Sequence, residues 1–340
     1  MSFVPSSQLL VTPHYMEPGH ILQYSQQSGA FEALAGRGPQ VRIGSQDLYV
    51  YVRRFRINTA MSVSQAAPNN LPSVSIVPDY MQTPTYLLRV RAEYDHHDTA
   101  AAGQWGIALP QAMSLGMRQG HFQLLRNMCL YGNNGANGEG LLNTAGATAV
   151  NLPADSNGNT TVMTYDNGQM ALFLLQQILN IKTRTFQLGQ PSRVVVAGPQ
   201  RILGYFEMVA IVQLTQFQRL GAGSATTAGT IEEIAKLNGD EIEFVYDDTL
   251  IGKGAGGNDA IVMVMPEVKK PNGSEPNTNE FAMLSPSIEG CALQYLDMAA
   301  PREIPTPIAG GAIDVVSELR ATSGWGLRPE AITIASMQYQ

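Results

Sequence analysis

Charge is what this chain has least of. Asp, Glu, Lys and Arg make up 14% of its 340 residues, against roughly 25% in ordinary soluble domains. Such a surface is either covered by Gln, Asn, Ser, Thr and Gly or buried against other chains. The shortage extends through segments that read as exposed, which favours burial. Lysine is scarcest: Lys182, Lys236, Lys253, Lys269 and Lys270 are the only five, beside sixteen arginines. Arginine suits interfaces, because its planar fork makes bidentate contacts and is less costly to desolvate. With a net charge of −7 and no basic cluster denser than Arg53, Arg54 and Arg56, specific nucleic-acid recognition has no electrostatic footing.

Cysteine is nearly absent. Cys129 and Cys291 match no paired metal or redox spacing, stand in apolar surroundings, and read as small core residues in a reducing compartment. No apolar run approaches the roughly 18 residues of a membrane span. The first basic residue is Arg37, so the N-terminus lacks the charged start of a signal peptide. The expectation is a soluble chain with no membrane partner, not secreted by the usual route.

What is present falls into segments. Residues 1–45, rich in Gln, Ser, Gly and Pro, show no sustained period and read as an extended arm rather than a packed element. "DLYVYVRRFRIN" (Asp47–Asn58) and "TYLLRVRAEY" (Thr85–Tyr94) alternate as strands, and a long Pro- and Ser-rich tip between them suggests an extended hairpin. One face would carry Tyr49, Tyr51 and Arg53, the other Leu48, Val50 and Val52. Neither is strongly polar, and a two-stranded ribbon is marginal in water, so something must cover it.

"PQAMSLGMRQGHFQLLRNMCLYG" (Pro110–Gly132) places Met113, Met117, His121, Leu124 and Met128 at helical spacing, widened by Leu125. Pro110 fits the first turn and Gly132 the C-terminal cap, giving a helix about 33 Å long. From about residue 160 the pattern becomes α/β. It comprises a helix capped near Asp166, the strand Ser192–Pro199, a further helix, and "TIEEIAKLNG" with a Thr230–Glu233 capping box ending at Gly239. Two more strands follow, then a loop by composition, then a β-rich run from Ala312 to Ser336.

Chemistry finds little purchase. The glycine-rich "YGNNGANGEGLLN" (Tyr131–Asn143) invites a phosphate-binding reading. It lacks the lysine of a Walker loop, and it follows a helix where a dinucleotide loop opens one. It therefore faces the negative end of the helix dipole, and Glu139 adds a further negative charge. We read it as a flexible turn, with Gly135 and Gly138 at positive φ and Leu141 and Leu142 anchoring the chain. "DHHD" (Asp95–Asp98) puts adjacent histidines on opposite faces of an extended chain, and His14, His20 and His121 have no telling spacing to them. "YDD" (Tyr246–Asp248) reads as a strand end. No catalytic, cofactor-binding or metal-ligating set emerges.

The order of elements then resembles a family: arm, long hairpin, long helix, glycine-rich loop ending in Gly-Leu-Leu-Asn, α/β domain, β-rich return. With "VVVAGPQRILGYF" and the terminal "GLRPEAITIAS", it is similar to the major capsid proteins of tailed bacteriophages with the Hong Kong 97-type fold. The resemblance implies an α+β chain with an N-terminal arm (1–45), an extended β-hairpin loop (46–95), a peripheral domain with a long spine helix (96–149 and 291–340) and an α/β axial domain (150–290). "TQFQRLGAGSATTAGT" (Thr215–Thr230) would lie near the five- and six-fold axes.

It also implies a non-enzymatic coat subunit of an icosahedral head enclosing double-stranded DNA, located in the virion and assembled in the bacterial cytoplasm. Its partners would be itself in pentamers and hexamers, a separate scaffolding protein (the start at Met1 favours this over a cleaved leader), a portal, a decoration protein, and packaged DNA touched non-specifically. No cofactor is implied. The assembly residues would be Tyr49, Tyr51, Arg53, Arg54, Arg56, Gly132, Gly135, Gly138, Gly140, Leu141 and Leu142. Some members cross-link a lysine of the extended loop to a neighbour's asparagine; with no lysine before Lys182, this chain has none to offer from 46–95. Two alternatives stay open: an encapsulin-type compartment shell, and a metal- or nucleotide-dependent α/β enzyme.

Overall fold

The β-branched runs of the chain sort into three sheets in the computed structural model, which describes residues 29–35, 42–59, 74–104, 106–208, 229, 231–232, 235–236, 239–268, 292–298, 300–308 and 310–340. In chain order its helices are α1 (Ala30–Leu34), α2 (His96–Gln104), α3 (Leu109–Tyr131), α4 (Asn167–Arg184) and α5 (Gln200–Met208). The strands are β1 (Tyr49–Thr59), β2 (Val74–Tyr94), β3 (Thr148–Asn151), β4 (Arg193–Gly198), β5 (Glu241–Tyr246), β6 (Asp259–Val264), β7 (Leu293–Gln294), β8 (Arg302–Pro307), β9 (Ile313–Thr322), β10 (Trp325–Gly326) and β11 (Ile332–Met337). The Thr230–Glu233 capping box, the loop Thr215–Thr230 apart from Gly229, and Cys291 lie outside the described residues.

The first sheet has the order β1-β2-β9-β8, all antiparallel. It corrects the expected hairpin. β1 pairs with Val74–Pro84, from Tyr49 opposite Pro84 to Thr59 opposite Val74. Thr85–Tyr94 instead pairs with β9, from Thr85 opposite Thr322 to Tyr94 opposite Ile313. One 21-residue strand thus serves two partners. Pro78 and Pro84 masked its first half as a loop in the sequence, yet proline is tolerated where a strand faces an edge. On β9, burial alternates so that Val315, Ser317, Leu319 and Ala321 face inward. The outward side carries Arg89 with Glu318 and Arg91 with Asp314, each at 2.8 Å. These exposed cross-strand pairs favour register more than stability.

Helix α3 lies on the inward side. Met117 packs with Ala92 and Val315, Met113 with Val90 and Tyr94 beside them. Met117, His121 and Met128 are buried as the spacing requires, but Leu124 is exposed and Leu125 packs against the main core instead. His121 Nε2 lies 3.0 Å from Ser317 Oγ on β9.

The second body is a five-stranded mixed sheet, β3-β11-β6-β4-β5. Both central strands β6 and β4 are almost entirely buried, as continuous apolar runs such as Val194–Ala197 require. α4 begins at an Asp166 cap that accepts from Gln169 N at 2.8 Å and buries Met170, Leu174, Ile178 and Ile181. The terminal β-rich run divides: β9 joins the hairpin sheet, while β11 lies parallel to β3 and antiparallel to β6. The expected boundary, which put all of 291–340 with the spine helix, is therefore wrong for β11. A strand's own residues do not say which sheet completes it. β7 and β10 pair separately.

The arm also differs from its reading. Ala30, Phe31, Leu34 and Ala35 are fully buried, with the Phe31 ring 5.2 Å from Phe122 and 5.6 Å from Tyr295. Five helical residues are too short for any period to be visible in the sequence.

A buried ion pair ties the end of α4 to the sheet. Lys182 Nζ donates to Asp240 Oδ2 at 2.7 Å and to the Gln190 carbonyl at 3.1 Å, and Asp240 Oδ1 also accepts from Ser192 N at 2.9 Å. Both side chains are almost inaccessible. Removing one member strands the other charge, so Lys182→Met should destabilise the protein by about 3–5 kcal/mol, read from its urea midpoint.

Burial holds the His121 imidazole below its ordinary pKa, with the Ser317 contact opposing weakly. The unfolded chain then binds the proton first, so stability should fall as pH drops below about 6.5. The melting temperature should fall less between pH 7.5 and 5.5 for His121→Gln than for the wild type.

Candidate assembly surfaces

The glycine-rich loop, expected to be a flexible turn, is a tightly hydrogen-bonded knot built around a buried carboxylate. Glu139, which the sequence offers only as an unfavourable loop charge, is 3% exposed. Its Oε2 accepts from Asn134 N at 3.1 Å, from Ser323 Oγ at 3.0 Å and from Tyr86 OH at 3.0 Å; Tyr86 OH also lies 2.9 Å from Oε1. Tyr86 stands on β2 and Ser323 just beyond β9, so one side chain joins the exit of α3 to two strands of the hairpin sheet. Burial is the main influence holding the Tyr86 phenol above its ordinary pKa. An Asn133 side-chain hydrogen bond opposes it and Glu139 adds to it.

The glycines make this packing possible. Gly132 and Gly140 have φ of 70° and 87°, and a Cβ on either would fall 2.3 Å from backbone of the other limb of the loop. Gly140 N donates to the Gly324 carbonyl at 2.6 Å, which pulls the return from β9 onto the loop. Asn143 Nδ2 closes the ends by donating to the carbonyls of Tyr131 at 2.8 Å and Glu139 at 3.0 Å. Gly138 has the expected positive φ, 73°, with nothing nearer to an added Cβ than 3.7 Å. Gly135 does not have it: it opens a 3₁₀ turn, Gly135–Asn137, and packs on the Asn143 side chain. Leu141 is fully buried in the main core and Leu142 packs against it. The loop's backbone donor is thus already turned onto the protein's own carboxylate. Of these six residues, Gly132, Gly140, Leu141 and Leu142 are engaged in packing within the protein itself.

The hairpin behaves differently. Tyr49 and Tyr51 are exposed, their rings 6.5 Å apart, and Tyr80 lies 6.2 Å from Tyr51. Ile76 and Val77, in the stretch the sequence hid as a loop, are exposed as well. The backbone of Arg53, Arg54 and Arg56 lies in β1, and their side chains lie outside the described part. Where the same sheet continues into β9 its open face carries ion pairs; along the hairpin it carries tyrosines and aliphatics. Exposed aromatic and aliphatic side chains grouped in this way are typical of protein contact surfaces.

The remaining candidates resolve into local structure. Asp95 and Asp98 cap α2 reciprocally, with Asp98 N donating to Asp95 Oδ1 at 2.7 Å and Asp95 N to Asp98 Oδ2 at 3.2 Å. The Asp98 hydrogen bond is the largest influence lowering the Asp95 pKa. The His96 and His97 ring centroids lie 3.9 Å apart, with the rings tilted by 40°. Asp247 lies just after β5 and caps a turn through Thr249 N at 3.0 Å. Cys129 is a buried free thiol in the main core. Among the described residues, no three His, Cys, Asp or Glu side chains converge on a point that could hold a metal ion, and no helix is long and apolar enough to cross a membrane.

A family model described as "Major capsid protein" matches residues 59–224, from the end of β1 to beyond α5. No curated protein matches the chain in sequence. Three solved structures are similar over nearly their whole length. The capsid of Myoviridae phage XM1 has a TM-score of 0.67 at 11% identity, covering 96% of this chain and 97% of that one. The capsid of a native GTA particle has a TM-score of 0.60 at 10% identity, covering 98% and 97%. Gordonia phage Cozz gives 0.54 at 14% identity, covering 97% and 92%. At these identities the structures establish the fold, and the family model adds the role. The class is that of structural subunits of a capsid shell. Residues 59–224 are thus similar in sequence to the major capsid protein family, and the chain as a whole is similar in fold to phage capsid subunits.

The glycines differ sharply in what they tolerate. Gly138→Ala should cost about 1 kcal/mol through its left-handed backbone alone. Gly140→Ala must displace backbone and open the Glu139 cluster, so the subunit should be recovered largely insoluble. Soluble yield and urea midpoint distinguish the two.

Proposed function

We propose that this subunit builds an icosahedral head of the Hong Kong 97-type arrangement around double-stranded DNA, and that it performs no catalysis. In this reading the five-stranded body is the axial domain, meeting its copies in pentamers and hexamers. The α3 body is the peripheral domain, and the hairpin of β1 with Val74–Pro84 lies over an adjacent copy. The observation that carries the reading is the hairpin itself, long, apolar on its surface and lacking a partner among the described residues of its own protomer. Cohesion between copies would rest on non-covalent burial, since the hairpin has no lysine. A separate scaffolding protein, a portal and a decoration protein would complete the head in the bacterial cytoplasm. The modest negative charge suits a lining that holds DNA without gripping it.

Size-exclusion chromatography with negative-stain microscopy of the expressed protein should show closed shells tens of nanometres wide. Tyr51→Asp combined with Ile76→Asp should leave the subunit folded and reduce shells at least tenfold. A persistent small oligomer from the wild type, under conditions that supply the other head proteins, would count against the reading. Nucleic-acid analysis of purified particles tests the DNA content.

A further inference from the structure

Helix α4 carries a second uncovered seam, on the five-stranded body and separate from the hairpin. Its outward residues are Leu172, Gln176, Leu179 and Thr183, and the next position in the same four-three rhythm is Phe186, just beyond the helix. That rhythm is the one by which a helix presents a continuous stripe to a partner. Leu172 is 64% exposed, Leu179 49%, Phe186 76% and the adjoining Leu188 59%. The stripe is free of charge because both cations of the last turn point away from it. Lys182 is buried on Asp240, and Arg184 donates to Thr148 and Thr333, the latter at 2.6 Å. Thr183 Oγ1 is satisfied by the Leu179 carbonyl at 2.9 Å.

The end of the seam is strained. Phe186 has φ of 57°, and among the described residues it is the only non-glycine at positive φ. Gln187 N donates to the Lys182 carbonyl at 2.7 Å and Phe186 N to the Thr183 carbonyl at 3.3 Å. This is the helix-ending motif in which glycine normally occupies the left-handed position. A bulky aromatic there is unfavourable for the lone subunit, and its ring gains nothing in water. The base beneath it is rigid, since Lys182 grips the Gln190 carbonyl and Asp240 holds Ser192. The backbone that carries the ring is therefore fixed before any contact is made, which lowers part of the ordering cost of binding.

We propose that this seam, ending in Phe186 and Leu188, is a permanent contact between two copies of this chain within the shell. The inference rests on the shell-subunit reading above. A second copy is the occupant because a shell surrounds each subunit with its own kind, and the stripe offers no charge by which a foreign partner would be selected. A strain present in every subunit also suits a contact made in every subunit.

Phe186→Gly and Phe186→Asn both accept a left-handed backbone and remove the ring. Unassembled subunits of either variant should melt at or above the wild-type temperature, while shell yield, read by sedimentation, falls at least tenfold. The pair Leu172→Ser with Leu179→Ser should lower shell yield in the same direction, and in wild-type shells the amides of 186–188 should exchange more slowly than in free subunits. Wild-type shell yield from both Phe186 variants would overturn the proposal, even if another head protein were lost from those shells. So would a lower melting temperature for the Phe186→Gly subunit, since that would mean the ring is covered by its own chain. If the wild type itself forms no shells, the shell reading fails, a different outcome from a seam that shells do not need.

Discussion

One buried carboxylate holds the exit of the long helix in register with the hairpin sheet. Glu139 takes donors from the loop that carries it, from β2 through Tyr86, and from the return of β9 through Ser323. A desolvated charge is tolerated only when such donors are in place, so the three segments adopt their positions together or not at all. The glycines at 132 and 140 follow from this: the chain must cross itself at backbone contact distance to bring Glu139 inward. A loop that could have cradled an anion instead folds over one supplied by the protein.

Rigidity at that junction gives the hairpin its use. A ribbon with two open faces cannot hold its direction alone. Here the second half of its long strand is built into a sheet with β9, backed by α3, and fixed to the loop through Tyr86. The exposed tyrosines are thereby presented from a fixed base. The same design recurs at the end of α4, where the Lys182–Asp240 pair sits beneath Phe186. In both places a buried polar cluster secures an apolar surface that the protomer does not cover. The low charge of the chain has the same origin, because charge is depleted where protein surfaces meet.

The comparisons and the physical features agree at the level of class. Phage capsids share this fold at identities near 10%, far below what would preserve individual contacts. What persists is the overall fold, across nearly the full length of both chains. The particular devices here, Glu139 in the loop and Phe186 in a left-handed cap, are read from this chain.

Periodicity and composition by themselves determined the spine helix to within a residue or so at each end, the Asp166 cap, the buried strand before Pro199 and the paucity of charge. Those properties are local: a 3.6-residue repeat, a capping side chain or a β-branched run acts over a few neighbours. Only the tertiary structure decided which half of Val74–Tyr94 pairs with which strand, that β11 completes the five-stranded sheet, that α1 is core, and that Glu139 is a buried anchor. Each of these depends on partners distant in sequence. A strand's pattern states which face it buries but not against whom, and a carboxylate in a polar loop looks the same whether water or protein donors surround it.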